Sequence, residues 1–305
     1  MTTEQTADAA FGLLSNEIRV DVLRAVATAQ NEAEQSGGGI AELPFSEIYE
    51  RVDVDSTSKL SYHLTELTGT FLRKGDEGYS FTHAGERMAR FVLAKNYDRP
   101  AEFGPLETDG TCLFCGESAL EATLHDQYFV VRCSACGRPA TGYTVTPAQT
   151  RAHDGAELLE ALKRKQAIEY ELVQRNVCPE CGGSVTTEVR AASETTLPDE
   201  VPISFVTIDE CQHCLRIYSG PMTYSVAYHP ASVAFHWDRG VDIMQTGMWE
   251  FHDHVRDGRW TAERIETDPP EYRVVFRRSA AALTVHLDDT ARVTRTERVR
   301  SRTLD

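Results

Sequence analysis

All eight cysteines of this chain fall in four CxxC pairs: "CLFC" (112–115), "CSAC" (133–136), "CPEC" (178–181) and "CQHC" (211–214). Glycine follows the second cysteine in three of them, at Gly116, Gly137 and Gly182. A CxxC followed by glycine makes a tight knuckle whose backbone N–H groups can face the thiolates, and two knuckles complete a tetrahedral four-cysteine site. The intervals are 17 residues between Cys115 and Cys133 and 29 between Cys181 and Cys211. The simplest grouping is therefore sequential: Cys112, Cys115, Cys133 and Cys136 for one ion, and Cys178, Cys181, Cys211 and Cys214 for another. Crossed pairings stay open at the level of sequence. Zinc, with two ions per chain, is the expected occupant. Modules this small cannot bury enough core without an ion, and a site of four thiolates leaves no position for a catalytic water. Disulfides are not expected in a reducing cytoplasm. Iron held by the same four sulfurs and a redox switch that releases metal are the alternatives. His125 and His213 read as bystanders.

The stretches "ATLHDQYFVVRC" and "ISFVTIDEC" each read as a strand running into a knuckle, as in zinc ribbons. Two ribbon-like modules follow, at 105–145 and 177–220, joined through 146–176. The connector contains a helix over 154–176 with Leu158, Leu159, Leu162, Ile168, Leu172 and Val173 on one apolar face. That helix could join the modules, dimerise, or do both. Residues 221–305 read as a small α+β unit: two helices broken near Gly240, then strands "WTAERIET", "YRVVFRR", "ALTVHLD" and "ARVTRTERV". His229, His236, His252 and His254, with Trp237 and Trp249, either line a ligand pocket or belong to core and surface. The Arg-rich last strand reads as a solvated edge that could touch DNA phosphate.

Residues 1–100 have a different texture. "AFGLLSNEIRVDVLRAVATAQ" (10–30) places Leu14, Ile18, Val22 and Val26 on one helical face. "NEAEQSGGG" reads as a loop, and "PFSEIYERV" as a short helix. Asp55 or Ser56 can cap the next helix, in which Leu60, Leu64 and Leu67 form a stripe. Phe71–Lys74 and Tyr79–Thr82 read as two strands around the turn 75–78, and Thr82 caps a last helix. Two helices joined by a short turn make a helix-turn-helix, and the hairpin after it makes a wing.

"LSYHLTEL" followed by "FLRKGDEGYSFTHAGERM" resembles the winged helix of ArsR-type transcriptional regulators, especially their haloarchaeal relatives, over roughly residues 10–95. The looser resemblance of 221–305 is to the C-terminal part of haloarchaeal winged-helix regulators. The family implies that the helix at 56–69 enters the major groove, with Ser56, Thr57, Ser58, Lys59, Ser61, Tyr62 and His63 as candidate contacts. It implies that Arg73 and Lys74 of the wing lie on the backbone or minor groove, and that a homodimer binds a pseudo-palindromic site. Hydroxyls and lysine suit phosphate and base edges. The family's metal sensors carry cysteines on the helix before the turn or on the recognition helix. Neither helix here has one, so a thiolate sensor site does not carry over.

The net charge is −16, from 31 Lys plus Arg against 47 Asp plus Glu, and only five of the basic residues are Lys. Acid-rich, lysine-poor composition resembles that of proteins from salt-loving archaea; an acidic mesophile protein from a GC-rich genome is the alternative. At about 1 M salt the Debye length is only ~3 Å, so net charge hardly repels DNA at a distance. Counterion release also weakens, which leaves close contacts to carry affinity. Residues 56–95 hold six basic groups against four acidic, whereas 1–55 hold three against eleven. The one locally basic stretch of this domain is the part the resemblance sets against DNA. No run is apolar and long enough to span a bilayer, and "MTTEQTADAA" is no signal peptide. The expectation is a soluble, cytoplasmic α+β protein. In it a winged helix-turn-helix precedes two four-cysteine modules joined by a helix and a C-terminal α+β unit. It is expected to regulate transcription on double-stranded DNA, with no effector specified and no catalytic constellation. A zinc-ribbon adaptor whose winged helix binds protein, or a thiol redox-responsive regulator, would be the alternatives.

Overall fold

A helix starts where a side chain can take up its first free N–H groups. Asn16 does this by accepting from the Arg19 N–H at 3.4 Å. The structure, a computed structural model, describes residues 6–37, 42–198 and 200–300. The chain divides into two compact units, residues 1–100 with 146–148, and residues 101–145 with 149–305.

In the first unit the cap at Asn16 splits the helix expected over 10–30 into α1 (Ala7–Leu13) and α2 (Glu17–Gln35). The expected loop from residue 31 is instead helix as far as Gln35, which donates to Asn31 at 2.9 Å. The glycines at 38 and 39 lie outside the described residues. α3 (Phe45–Arg51) and α4 (Thr57–Leu67) follow, then the hairpin β1 (Leu72–Lys74) and β2 (Tyr79–Phe81), then α5 (His83–Leu93). Ser56 caps α4 through the Lys59 N–H at 3.3 Å. Leu60, Leu64 and Leu67 are wholly buried beside Val22, Val26 and Ile48 of α2 and α3. Each such leucine contributes about 2 kcal/mol of transfer free energy. The hairpin pairs Arg73 with Ser80 and Lys74 with Tyr79. Thr82 caps α5 through the Gly85 N–H at 3.1 Å. Gly85 itself has no room for a side chain, because a Cβ would lie 1.8 Å from the Phe71 carbonyl oxygen.

The second unit holds three antiparallel meanders, each with its strands in sequence order. The first is β3 (Phe103–Thr108), β4 (Leu120–His125), β5 (Tyr128–Cys133) and β6 (Pro139–Thr144). "ATLHDQYFVVRC" is thus a tight hairpin rather than one strand. Asp126 and Gln127 both take positive φ, 46° and 68°, as a two-residue primed turn requires. After α6 (Pro147–Ala152) comes α7 (Gly155–Gln174), capped by Asp154 through the Glu157 N–H at 3.2 Å. Its buried face is Leu158, Leu159, Leu162, Lys163, Gln166, Ala167, Tyr170 and Val173. Ile168, expected on that face, is exposed. The second meander is β7 (Val185–Ala191), β8 (Phe205–Cys211) and β9 (Ile217–Pro221). Short helices α8 (Met222–Ala227), α9 (Pro230–Trp237) and α10 (His252–Arg256) lead to the third, β10 (Trp260–Thr267), β11 (Pro270–Arg278), β12 (Ala281–Leu287) and β13 (Val293–Arg300).

A large apolar core in this unit lies beside two smaller clusters that hold the buried cysteines. It joins Leu113 of the first knuckle, Tyr170 of α7, Tyr224 of α8, Phe235 of α9, and Trp260 and Phe276 of the last sheet. Aromatic rings pack face against edge there: Trp260 lies 4.9 Å from Phe276 at 80° between planes. Among the described residues no helix is long and apolar enough to cross a membrane.

Candidate metal centres

Each cysteine pair sits at a corner where the chain folds back on itself. The Cys112 N–H donates to the Glu117 carbonyl at 2.9 Å, and the Gly116 N–H returns to the Cys112 carbonyl at 3.0 Å. The same exchange recurs at Cys133 with Arg138 and Gly137, at Cys178 with Gly183 and Gly182, and at Cys211 with Arg216 and Leu215. The turn needs left-handed backbone after the second cysteine. Gly116, Gly137 and Gly182 supply it at φ of 82°, 75° and 74°, and Leu215 adopts it at 61° without being glycine. Cys133 and Cys211 are the last residues of β5 and β8, so the sheets aim the second and fourth knuckles.

The sulfurs gather in the sequential grouping, 112/115/133/136 and 178/181/211/214. Sγ–Sγ separations are 3.6 Å for Cys112–Cys136 and for Cys115–Cys133, 3.7 Å for Cys178–Cys214 and 3.5 Å for Cys181–Cys211. A tetrahedron with metal–sulfur bonds of about 2.3 Å has edges of about 3.8 Å. These distances suit a shared ion and are far too long for disulfides. In each group two cysteines are buried and two exposed, so an ion would lie at the rim of its sheet.

Backbone N–H groups also point at sulfur. Phe114 donates to Cys112 Sγ at 3.4 Å, and Gly183 to Cys181 Sγ at 3.4 Å. Cys211 Sγ accepts from both Cys214 (3.5 Å) and His213 (3.4 Å), two donors that stabilise a thiolate there. A thiolate is the form that binds metal. The two groups can therefore hold two metal ions, and four sulfur ligands leave no open position on either. His213 Nε2 is within 3.4 Å of Ser184 Oγ, and His125 Nδ1 pairs with Glu102 at 3.1 Å.

The first centre is fastened to the C-terminal part of its unit. Trp249 Nε1 donates to Thr108 Oγ1 (2.9 Å), the Thr111 N–H to Asp253 Oδ1 (3.0 Å), and Arg256 Nη1 to the Leu113 carbonyl (3.0 Å). His252 Nδ1 meets the Thr111 carbonyl at 3.1 Å. Of the histidines and tryptophans that could have lined one pocket, His252 lines a cavity together with Tyr224, and the others are placed elsewhere. His236 meets Trp260 edge-on and His254 lies tilted against it, His229 caps α9, Trp249 is buried against Phe129, and Trp237 is exposed.

Ser56, which caps α4, and Thr57, Ser58, Lys59, Ser61 and Tyr62 on it are exposed, as are Arg73 and Lys74 of the hairpin. Tyr62 keeps 57% of its surface, a high value for an aromatic ring. Lys59 pairs with Asp55 at 3.2 Å, and Arg73 Nε donates to Ser80 Oγ at 2.8 Å. His63 is corrected: it is 5% exposed and lies in the stripe of Leu60, Leu64 and Leu67, so it cannot meet an outside ligand. Burial first, then the neighbouring Arg19 charge, lowers its pKa. The spacing 60, 63, 64, 67 carried that signal. Leu215 is marked in the sequence by standing where the other three knuckles carry glycine.

What these features define is a mixed α+β protein with several small antiparallel sheets and two four-cysteine centres. The chain belongs to the family described as Domain of unknown function (DUF7351), whose model matches residues 109–293. A second model, also a domain of unknown function (DUF7347), matches residues 7–92. The first match spans both cysteine groups together with most of the last sheet, in keeping with the large apolar core of this unit. No curated protein and no solved structure matches the chain.

Proposed function

We propose that this chain is a sequence-specific DNA-binding transcriptional regulator. Its first unit is an ArsR-type winged helix-turn-helix, and its two four-cysteine centres hold structural zinc. The observation that carries the reading is the outer face of α4. There Ser58, Lys59, Ser61 and Tyr62 stand exposed together, and the neighbouring hairpin adds Arg73 and Lys74, on a unit otherwise dominated by acid. Hydroxyls, an aromatic ring and lysine are suited to base edges and phosphates. The leucines on the opposite side of α4 hold that face rigid. Zinc is supported by the all-sulfur donor set and the 3.5–3.7 Å edges; it cross-links strands and supplies no chemistry of its own. A homodimer on a two-fold operator completes the reading.

The test is genome-wide occupancy, followed by gel shift on the enriched site across a salt series. Tyr62→Ala and Lys59→Ala are each expected to weaken binding roughly tenfold, the scale of one lost base or phosphate contact. His63→Leu, which alters only the buried side of α4, leaves affinity within about twofold. Absence of any enriched site sinks the proposal. A winged helix that instead captures protein would show that outcome.

A further inference from the structure

The second unit contains a cavity of about 640 Å³ between the two four-cysteine modules, within the size range of small-molecule sites. Leu113 and Phe114, the two residues between the cysteines of the first knuckle, form one wall; Val206 and Ile208 of β8 form another. Tyr224 and His252 are on its lining, 3% and 2% exposed. The Tyr224 hydroxyl is buried and, like those of Tyr143 and Tyr228, has no hydrogen-bond partner among the described residues. Proteins seldom keep such a group, since an unmet buried hydroxyl costs stability.

We propose that this cavity binds an uncharged, mainly hydrocarbon or aromatic molecule bearing one hydroxyl. The Tyr224 O–H donates to that hydroxyl's oxygen, and His252 Nε2 accepts its proton. The donor and acceptor roles follow from geometry. His252 Nδ1 faces the Thr111 carbonyl at 3.1 Å and must be the protonated nitrogen, which leaves Nε2 as acceptor. Burial holds the imidazole neutral, with its pKa pushed down to about 4. The Tyr224 and His252 rings are neighbours on the lining, their centroids 6.0 Å apart and their planes tilted by 31°. Charge on the ligand is disfavoured. The ionic residues on the lining, Arg190 and Glu194, are of opposite sign, and Arg190 is already held by Glu188 through two 2.7 Å bonds. Nothing in this assignment depends on DNA binding by the first unit.

The test uses the full zinc-loaded chain and three probes of one shape: 2-naphthol, naphthalene and 2-naphthoate, titrated by fluorescence. We expect saturable binding of 2-naphthol at one site per chain, with naphthalene roughly tenfold weaker and 2-naphthoate weaker still. Tyr224→Phe should weaken 2-naphthol several-fold, part of the way to naphthalene because His252 Nε2 still accepts its proton, while leaving the urea midpoint unchanged or raised, because it removes an unmet hydroxyl. A hydroxyl with a purely structural role would lower the midpoint and spare binding. Ile208→Trp, which fills the cavity, should abolish binding of both neutral probes. Metal content and far-UV circular dichroism of each variant are matched to the parent. Absence of saturable 2-naphthol binding, equal binding by parent and Tyr224→Phe, or tightest binding of 2-naphthoate would each overturn the proposal.

Discussion

At the scale of single residues, Leu215 is the most informative. It holds φ of 61° in a knuckle whose three counterparts use glycine, and its side chain is 69% exposed. Left-handed backbone costs a residue with a Cβ about 1 kcal/mol, and here little packing offsets it. Leu215→Gly is expected to stabilise the second unit by about 0.5 kcal/mol, after glycine's greater freedom in the unfolded chain is subtracted. Gly182→Ala, the reverse change in the partner knuckle, should cost about 1 kcal/mol. Urea unfolding at fixed free zinc measures both. Equal effects of the two substitutions would mean that backbone conformation does not set the stability of this turn.

At the scale of elements, α7 shows how a charged group is kept inside. Lys163 has a side chain only 7% exposed, and its ammonium reaches Glu250 at 2.7 Å and Glu160 at 2.9 Å. It also lies 5.7 Å from the centre of the Trp249 ring. Glu250 in turn accepts from the Gly247 N–H, which fixes the short helical turn at 248–251. Removing one partner of such a pair strands the other. Lys163→Ala is therefore expected to cost about 3 kcal/mol, and the double change Lys163→Met with Glu250→Gln clearly less. A thermal or urea series on the single and double variants reads this directly, and equal losses would remove the coupling. The same helix marks where sequence reading stops. The leucines announced a helix with an apolar side. Yet Ile168 is exposed while Tyr170, Gln166 and Lys163 are buried, because partners distant in sequence decide which side is covered. Knuckles, hairpin turns and caps are legible because each is settled within a few residues. The break at Asn16 rests on a weak cap inside a strongly helical stretch, and propensity alone does not expose it. His63 was legible from its place in the leucine stripe, but its polarity invited an outward reading.

At the scale of the molecule, the two units differ in what stabilises them. The first has a leucine and aromatic core of its own and none of the cysteines. The second closes its sheets around the cysteine groups, with Cys112 and Cys133 in one apolar cluster and Cys178 and Cys211 in another. A strong chelator should therefore melt the second unit and spare the first. Hydrogen exchange resolves this: amides of 205–211 are expected to lose protection while those of 57–67 keep it. Loss in both together, or in neither, would contradict it. The ties from Thr108, Thr111 and Leu113 to Trp249, Asp253 and Arg256 have a further consequence, because each bridges 141–143 residues of chain. At roughly 5–20 residues per second of translation, the ribosome takes about 7–30 s between making the two ends of those bonds. For that interval the first four thiols exist without the helix that later fastens their module, which gives the cell a window in time for delivering the ion.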